Sequence, residues 1–542
     1  MESLAQDLAT MVRTPLHDDH IARMHKLGEI QEFPEGHNVV DFGSPVDSFI
    51  YVLEGEVAGY DPLTGGRYGV ATLGPGQFLG EIGFLQGGQH LLAMRTLQPT
   101  KLLVVDREDM LELMSQIPEM SDIIVTVFSA RRRRMIESNQ TGLTLWGGDS
   151  DRRIRQIAAF AGRNRIPVRE LAPDSSAAAQ VAQRCGIDVG TPAVILGEAS
   201  VMQDPSLRTV ARTFGLDVDI SGDETFDVLI VGGGPSGIAA GVYAGAEGLK
   251  ALVVEDLTIG GQAGTSSRIE NYMGFPTGIS GADLCWRGEV QAMKFGTRFA
   301  VPRRAAEVRQ CSAGLFHVTL DDGDQLSARS MVIATGVQYR RLPIDRLQHF
   351  EGAGVYYAAT DVEARFCRQA EVAIIGGGNS AGQAAMFLSR STSHVHLLVR
   401  GPNLAASMSD YLLSRLESDP RITLHYRTEM CELHGDDQLS AITIRDKLEG
   451  RDWRLNTAAV FVMVGAAPNT GWLSGLVELD AKGFVKTGAD VGGGSVYATS
   501  CPGVFAVGDV RAGSVKRVAS GVGEGSVVIS RVWEYLNAFE TG

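Results

Sequence analysis

The sequence predicts an α/β protein with a β-rich N-terminal part, and three patterns indicate this fold class. An apolar run, Val228–Val231, leads into Gly232-x-Gly234-x-x-Gly237 and then into an alanine-rich helical pattern. The same order of strand, glycine turn and helix returns over residues 372–381. Residues 1–138 instead show short alternating strands separated by glycines, which is typical of a small β-barrel or jelly roll. We therefore expect two Rossmann-like domains behind an all-β domain.

Bulk composition limits the classes of function. The chain has 542 residues, which favours three or four domains, and 65 of them are glycine, well above the roughly 7% that is usual. A net charge of −15 argues against nucleic acid and against an anionic membrane as partners. Apolar runs of about 18 residues and signal-peptide patterns are missing, so we expect a cytoplasmic protein.

The six cysteines are all isolated in the sequence. A Cys-x-x-Cys pair therefore occurs nowhere, which excludes a local redox pair and cysteine-pair zinc sites. We expect reduced thiols in or near cores, and no metal site.

Within residues 1–138, the stretch Phe78–Leu85 resembles the phosphate-binding cassette of the cyclic-nucleotide-binding domain family. The resemblance implies that Gly80 and Glu81 hold a ribose hydroxyl and that an arginine about ten residues later clamps the cyclic phosphate. That arginine position falls here on His90 or Leu91, followed by Leu92. Losing a two-pronged charge-assisted hydrogen bond costs about 10²–10⁴ in affinity. We therefore expect no tight binding of cAMP or cGMP, and instead a neutral ligand or a purely structural barrel.

A closing helix is predicted over Ser121–Ile136, and it contains four consecutive arginines, Arg131–Arg134. Such a run could dock nucleic acid. On an acidic chain, a solvated helix end is the favoured interpretation.

Residues 139–217 form a second small unit. Leu143–Trp146 is predicted as a strand, Arg152–Ala161 as a helix and Thr191–Leu196 as a strand entered through Thr191-Pro192. This order resembles the thioredoxin or glutaredoxin fold. The segment Gly147–Ser150 stands where the reactive cysteines belong, so thiol–disulfide exchange is excluded and a docking or spacer role is favoured. Residues 218–225 are the predicted linker.

The first glycine turn has the spacing that a dinucleotide requires. Gly232 permits a tight turn, Gly234 allows the backbone to approach a pyrophosphate, and Gly237 allows close packing of helix on strand. Glu255 ends the next apolar run, where a carboxylate accepts hydrogen bonds from a ribose.

From Phe226 to Gly542 the chain resembles low-molecular-weight thioredoxin reductase, with the motifs in that family's order. They include Gly260-Gly261-Gln262, Glu270-Asn271, Ala334-Thr335-Gly336, Gly508-Asp509 and Lys516-Arg517-Val518-Ala519. The resemblance implies a homodimer with an FAD domain over 226–342 and 464–542 and an inserted NADPH domain over 343–463. The implied FAD-binding residues are Gly232, Gly234, Pro235, Ser236, Gly237, Glu255, Gly261, Gln262, Asn271, Thr335, Gly336, Gly508, Asp509, Arg517, Val518 and Ala519.

The second glycine turn favours NADPH as its ligand. Twenty-three residues separate Gly232 from Glu255, and the same count from Gly376 reaches Val399, which Arg400 follows. A carboxylate there selects a free ribose hydroxyl, whereas an arginine suits a 2′-phosphate. The candidate NADPH-binding residues are Gly376, Gly378, Asn379, Ser380, Ala381 and Arg400.

The chain departs from the reductase family at Tyr357-Ala358-Ala359-Thr360-Asp361. The family's redox Cys-x-x-Cys belongs here, and Ala358 and Asp361 occupy the two cysteine positions. Asp361 is predicted to cap a helix over Val362–Phe366, with an acid near the flavin as the alternative. Ferredoxin–NADP⁺ reductases of the same class also lack these cysteines.

The sequence thus predicts an NADPH-dependent FAD oxidoreductase with a non-dithiol acceptor, which is a quinone, a small electron-transfer protein or dioxygen. The N-terminal domain would be a regulatory or docking module. One alternative is a flavin- or ligand-responsive sensor that relays a signal to a partner protein. Another is a thioredoxin reductase that uses distant thiols, such as Cys367.

Overall fold

In its described residues, the N-terminal β unit, residues 15–138, has two antiparallel sheets, three α-helices and a short 3-10 helix over Ile82–Leu85. One sheet has the order β1-β7-β3 and the other β2-β6-β4-β5. Apolar side chains from both sheets, such as Ile50, Val57 and Leu102, form the core between them. The elements are α1 (Asp18–Met24), β1 (Glu29–Phe33), β2 (Asn38–Val40), β3 (Ser48–Glu54), β4 (Val57–Tyr60), β5 (Arg67–Leu73), β6 (Ala93–Thr96), β7 (Thr100–Asp106), α2 (Arg107–Gln116) and α3 (Pro118–Ser138). The predicted closing helix is confirmed as α3.

This computed structural model describes the chain in the following ranges: 15–60, 65–138, 143–146, 151–166, 168–171, 181–183, 185–187, 193–196, 200–202, 205–214, 216–217, 220, 224–266, 269, 271–311, 314–339, 342–357, 359, 361–405, 408–473 and 475–540. Within these ranges, no helix combines the length and apolar character that crossing a bilayer requires.

The middle unit, residues 143–217, has a four-stranded mixed sheet in the order β11-β10-β8-β9, in which only β8 and β9 are parallel. Asp151 starts helix α4 because its side chain accepts hydrogen bonds from the backbone N–H groups of Arg153 and Ile154. The elements are β8 (Leu143–Trp146), α4 (Arg152–Arg163), β9 (Arg169–Leu171), β10 (Ala193–Leu196), β11 (Ser200–Met202) and α5 (Leu207–Thr213). The predicted strand and helix at β8 and α4 are confirmed. Gly147–Ser150 and Thr191-Pro192 lie outside the described residues, and the likeness to thioredoxin stays a prediction.

The large domain, residues 224–339 and 466–540, is built on a seven-stranded sheet. Its order is β14-β13-β12-β17-β16-β15, and β28 pairs with β17. The elements before the insertion are β12 (Thr225–Val231), α6 (Pro235–Ala246), β13 (Ala251–Val254), α7 (Gly261–Gly264), α8 (Gly281–Lys294), β14 (Arg298–Ala300), β15 (Ala305–Gln310), β16 (Phe316–Leu320), β17 (Gln325–Ile333) and β18 (Val337–Tyr339). Those after it are β27 (Ala466–Pro468), β28 (Val504–Ala506) and α13 (Val518–Glu540).

The linker predicted over residues 218–225 extends too far at its C-terminal end. Strand β12 already starts at Thr225, and the Glu224 carboxylate accepts two hydrogen bonds from Arg298 at 2.7 and 2.8 Å. This ion pair fixes the end of the segment to the large domain.

The inserted domain, residues 342–463, has a parallel five-stranded sheet in the order β19-β26-β20-β21-β22 and an antiparallel sheet β23-β24-β25. Strands β18 and β27 pair with each other, so the two chain passages between the domains run side by side. The elements are α9 (Leu347–Phe350), β19 (Val355–Tyr356), α10 (Asp361–Phe366), β20 (Glu371–Ile375), α11 (Asn379–Leu388), β21 (His394–Val399), α12 (Asp410–Ser418), β22 (Ile422–Tyr426), β23 (Thr428–Gly435), β24 (Leu439–Asp446), β25 (Asp452–Asn456) and β26 (Ala459–Val462).

Polar contacts hold the β unit and the middle unit against the large domain. Lys294 on α8 pairs with Asp122 on α3 at 2.5 Å. Arg303 is 2% exposed and pairs with the fully buried Asp217 of the middle unit at 2.6 Å. The Arg303–Asp217 pair is buried and is tolerated because each charge neutralises the other, so this contact defines a fixed junction. The Lys294–Asp122 pair is partly exposed and contributes less.

Candidate functional site

The first glycine turn lies at the carboxyl end of β12, where the chain enters helix α6. Gly232 has φ of 112°, and a Cβ there would overlap the carbonyl oxygen of Ala334. A Cβ at Gly237 would overlap the carbonyl oxygen of Gly232. Around Gly234, by contrast, no atom of the described residues lies within 4 Å of a Cβ position, and Pro235 opens the helix. The turn therefore leaves open space at a helix N-terminus, which suits a pyrophosphate.

Glu255 lies beside this turn, at the end of β13. Its Oε2 accepts a hydrogen bond from the backbone N–H of Gly233 at 2.7 Å, and its Oε1 accepts one from Leu257 at 3.2 Å. Burial raises the pKa of Glu255 to about 8, the neighbouring Asp256 carboxylate adds to the shift, and the two backbone donors oppose it. The Glu255 side chain thus shapes the first glycine turn.

Gln262, Thr335 and Gly336 meet at the point where the chain leaves the large domain. The Gln262 side chain, on α7 directly after Gly261, donates a hydrogen bond to the carbonyl of Val337. The Thr335 hydroxyl donates to the carbonyl oxygen of Asn469 at 2.9 Å, across the returning strand. Asn271 is exposed on a loop, and none of the contacts of the described residues joins it to this group.

The N-termini of α6 and α13 converge on Gly508 and Asp509. A Cβ at Gly508 would overlap the hydroxyl of Ser236 on α6, and one at Gly525 on α13 would overlap the Ser236 carbonyl oxygen. Burial raises the pKa of Asp509, and Lys516 opposes the shift. The start of α13 follows in the exposed or half-buried residues Arg517, Val518 and Ala519.

Glu524 supports this junction, and the sequence analysis missed it. Its Oε2 accepts a hydrogen bond from the backbone N–H of Gly508 at 2.6 Å, and its Oε1 pairs with Arg511 at 2.7 Å. The signal in the sequence was an acid between glycines inside a helix, Gly523-Glu524-Gly525. Only a helix that packs closely against another element needs glycines there.

The second glycine turn, between β20 and α11, repeats the geometry of the first. A Cβ at Gly376 would overlap the carbonyl oxygen of Met463, whereas described residues leave more than 4 Å free around a Cβ at Gly378. The third position holds the buried Ala381. Asn379 accepts a hydrogen bond from the backbone N–H of Ser409 at 3.0 Å, and Ser380 is exposed.

Arg400 follows β21, and a second arginine follows the neighbouring strand β22. This residue, Arg427, has φ of 55° and donates its backbone N–H to the carbonyl oxygen of Gly401 at 3.0 Å. Both side chains are exposed. Arg427 was missed because the two arginines are distant in sequence, although carboxyl ends of adjacent parallel strands always share one edge of a sheet.

The segment that replaces the Cys-x-x-Cys is only partly described. The predicted helix is confirmed as α10, but it begins at Asp361, one residue earlier than predicted. Asp361 is therefore the first helical residue and not the capping residue before the helix. Ala358 and the Asp361 side chain lie outside the described residues. None of the six cysteines forms a disulfide. Burial raises the pKa of both Cys367 and Cys285 to about 12, so each stays protonated and unreactive at neutral pH.

In the β unit, the cassette acid Glu81 is already satisfied by protein groups. Its Oε1 accepts the backbone N–H of Gly83 at 2.9 Å, and its Oε2 accepts Arg132 Nε at 2.6 Å. Arg131 donates to the carbonyl oxygens of Phe78 and Gly80, the latter in a turn with φ of 115°. The interpretation of Arg131–Arg134 as a solvated helix end was therefore wrong for Arg132, which is 6% exposed and neutralises the Glu81 carboxylate. Arg134 is exposed, as that interpretation expects.

The residues at the phosphate-arginine position face the protein interior. Leu91 is buried and belongs to the core of the middle unit, with Leu145 and Ile154. His90 is half-buried, and burial lowers its pKa, while the charges of Asp47 and Glu81 oppose this shift. Leu92 is also half-buried. This part of the cassette therefore packs against another unit.

A possible metal-ligand cluster lies apart from these turns. His17, His20 and Glu119 bring ligand atoms within 4.8 Å of one another. However, His20 Nδ1 accepts the backbone N–H of His17, which leaves the proton of a neutral ring on Nε2. At least one candidate ligand atom of this cluster, His20 Nδ1, is thus already used in a local hydrogen bond.

Comparisons with known proteins agree with this geometry. Residues 226–525 match the family model described as pyridine nucleotide-disulphide oxidoreductase, and residues 30–117 match that of the cyclic nucleotide-binding domain. A thioredoxin reductase of Treponema pallidum is 32% identical over 315 residues, covering 58% of this chain and 98% of that protein. A protein of Bacillus subtilis named NADH dehydrogenase is 30% identical, covering 64% of this chain and 67% of that protein.

A solved structure of Lactococcus lactis thioredoxin reductase, in its FR conformation, matches 58% of this chain and 99% of its own, with 27% identity and a TM-score of 0.52. Two glycine turns with open space above a helix N-terminus fit two dinucleotides, and the first family model spans both turns. The chain therefore belongs to the pyridine nucleotide-disulphide oxidoreductase family and is an NAD(P)H-dependent flavoprotein oxidoreductase.

Proposed function

We propose that this protein is an NADPH-dependent FAD oxidoreductase whose electrons leave to an acceptor other than a disulfide. The supporting observation is the missing sulfur relay. Ala358 and Asp361 occupy the cysteine positions, and the buried thiols of Cys285 and Cys367 stay protonated. A disulfide relay needs a thiolate and a partner cysteine, which argues against Cys285 and Cys367 as replacements for the missing pair.

In this proposal, the large domain holds FAD. The first glycine turn and the N-terminus of α6 receive the pyrophosphate, Glu255 receives the ribose, and Asp509 with the start of α13 lies toward the ring. Gln262 and Thr335 line the same space at the domain crossover. When bound, FAD and the nicotinamide supply the hydride chemistry, while the protein supplies position and electrostatics.

The inserted domain holds NADPH by the same physical means. Gly376 and Gly378 leave space for the pyrophosphate, and Arg400 with Arg427 presents positive charge at the end of the neighbouring strands. A guanidinium binds a phosphate through charge-assisted hydrogen bonds, so the 2′-phosphate of NADPH gains affinity that NADH lacks.

The β unit serves in this proposal as a docking or regulatory module that does not bind cyclic nucleotides. Its cassette has no arginine for the phosphate, Arg132 neutralises Glu81, and Leu91 is buried in the core of the middle unit. A phosphate placed against leucine would lose hydration without gaining a partner.

The test compares acceptors in anaerobic steady-state turnover with NADPH. We expect kcat/KM for ferricyanide or a soluble quinone to exceed that for thioredoxin by at least roughly 100-fold, a difference of about 2.7 kcal/mol in transition-state stabilisation. Efficient thioredoxin reduction would contradict the proposal. Flavin reduction without reoxidation by any acceptor would support the sensor alternative instead.

Thiol counting in denaturant, before and after NADPH, is the control for distant thiols. We expect six titratable thiols in both samples, because the chain has six cysteines and none of them forms a disulfide. A change of two thiols would support a hidden disulfide relay.

A further inference from the structure

The end of helix α4 touches both nucleotide-binding domains, although it belongs to neither. Arg163 is the last residue of this helix, Asn164 follows it, and Arg165 adopts φ of 52°. The left-handed residue turns the chain sharply, so three consecutive side chains point in different directions. We call Arg163–Arg165 the bridging turn.

On one side, the bridging turn binds the inserted domain through Arg163. Its Nη2 lies 2.5 Å from Oε1 of Glu363 on α10, and that carboxylate is 2% exposed. A second ion pair crosses the same junction, between Glu170 on β9 and Arg365 on α10 at 2.7 Å. Both partners on the inserted domain lie on α10, the helix that starts at the vacant redox-cysteine position.

On the other side, the bridging turn binds the large domain. The carbonyl oxygen of Arg163 accepts a hydrogen bond from the Thr258 hydroxyl at 3.2 Å, and the Asn164 amide donates to the Leu257 carbonyl at 3.1 Å. Leu257 and Thr258 lie between Glu255 and Gly261, both candidate FAD-binding residues. Arg165 pairs with Asp283 on α8 at 2.6 Å.

The junction with the inserted domain also contains a buried arginine, two of whose side-chain nitrogens lack hydrogen-bond partners among the described residues. Arg155 on α4 is 5% exposed, and its Nε and Nη2 have no hydrogen-bond partner among the described residues. Burial raises the pKa of Tyr356 in the inserted domain, and the charge of Arg155 opposes that shift, which places this charge at the same junction.

We propose that the bridging turn is an intramolecular clamp that fixes the orientation of the inserted domain relative to the large domain. Through the clamp, the middle unit sets the position of the nicotinamide relative to the flavin. This role does not depend on the identity of the final electron acceptor. Arg163 is a positioning residue in this role. In this role the clamp holds the orientation in which the two rings meet, because hydride transfer needs them within contact distance and in register.

The first test measures domain orientation without turnover. Spin labels at Glu247 on the large domain and Glu417 on the inserted domain report their distance by pulsed electron resonance. Both sites are exposed, and the half-buried Cys185, Cys311 and Cys431 are replaced by serine to avoid labelling. In the FAD-bound, oxidised protein we expect one narrow distance distribution, which Arg163→Ala and Glu363→Gln each broaden.

The second test measures flavin reduction by NADPH in anaerobic stopped flow. We expect Arg163→Ala to lower the limiting rate about tenfold with an unchanged dissociation constant for NADPH, since losing one charge-assisted pair shifts a two-state population by about that factor. The double variant Arg163→Ala/Glu363→Gln should be no slower than the single variants. Arg445→Ala is the control, because its ion pair with Asp452 at 2.7 Å lies within the inserted domain.

Thermal unfolding of each variant separates loss of the clamp from loss of the fold. A narrow, unchanged distance distribution in folded Arg163→Ala would overturn the clamp, as would additive effects in the double variant. Flavin reduction that is unchanged or faster in Arg163→Ala would also overturn it.

Discussion

Single charged residues in this protein are satisfied by protein groups from distant parts of the chain. Glu81 lies in the segment that resembles a cyclic-nucleotide cassette, and Arg132 and the N–H of Gly83 satisfy its two oxygens. The arginine comes from α3, about fifty residues along the chain, so the acid is neutralised by the fold and needs no ligand. A buried ion pair of this kind is most costly when it loses one partner.

We predict that Arg132→Ala destabilises the protein by about 3 kcal/mol, because it leaves the Glu81 carboxylate, which is 15% exposed, without its charged partner. Equilibrium unfolding in urea, followed by circular dichroism, measures the free energy of unfolding. Arg134→Ala is the matched control: Arg134 lies on the same helix but is exposed, and we expect a change within about 0.5 kcal/mol. Equal effects of the two substitutions would show that the ion pair is not needed.

Two glycines of the first turn should respond differently to the same substitution. Gly237→Ala would place a Cβ against the carbonyl oxygen of Gly232, so we expect a lower melting temperature even without FAD. Gly234→Ala places its Cβ in open space, so the apoprotein should melt as wild type while FAD affinity falls at least about tenfold, or 1.4 kcal/mol. Fluorescence titration with FAD measures the affinity. Wild-type affinity in Gly234→Ala would contradict this position for the pyrophosphate.

At the scale of elements, the parallel sheets decide which residues meet. Strands β21 and β22 are neighbours, so Arg400 and Arg427 leave the same edge of the sheet although they are far apart in sequence. The backbone contact from Arg427 to Gly401 keeps the two loops together. A sheet edge thus assembles a basic patch that neither loop has alone.

We predict that Arg400→Ala and Arg427→Ala each lower kcat/KM for NADPH by about tenfold, while the value for NADH changes by less than about twofold. The reason is that NADH lacks the 2′-phosphate. Steady-state rates with both nucleotides and ferricyanide give the ratio. A parallel loss with NADH would mean that these arginines support the fold or bind the part that both nucleotides share.

At the scale of the whole molecule, the added N-terminal units are joined to the catalytic half by buried contacts. Leu91 of the β unit lies in the core of the middle unit, and Arg303 of the large domain pairs with Asp217 of the middle unit. Such junctions couple the units mechanically, since moving one unit exposes apolar surface or separates charges.

We predict that Leu91→Arg does not create a cyclic-nucleotide site, although it restores the charge that the family uses. The guanidinium would be buried in the core of the middle unit without a partner, so the melting temperature should fall. Thermal unfolding with and without millimolar cAMP should show no stabilisation by the nucleotide in either protein. Stabilisation of the variant by cAMP would show that position 91 faces a ligand site.

The sequence by itself determined the local machinery of the catalytic half. Glycine spacing after an apolar run predicts a strand, a turn and a helix, because only glycine permits the positive φ at Gly232 and the close packing at Gly237. The same reasoning identified Glu255 and the second turn. The absence of cysteines at Ala358 and Asp361 is likewise a property of the sequence alone.

Only the tertiary structure decided which distant residues became partners. Arg132 with Glu81, Arg427 with Gly401, and Arg163 with Glu363 join segments that are 51, 26 and 200 positions apart. Their pairing depends on how helices and sheets pack, and the sequence carries no periodic signal for it. The physical reason is that a run of charged residues reads the same in the sequence whether its side chains are hydrated or form ion pairs with a distant carboxylate.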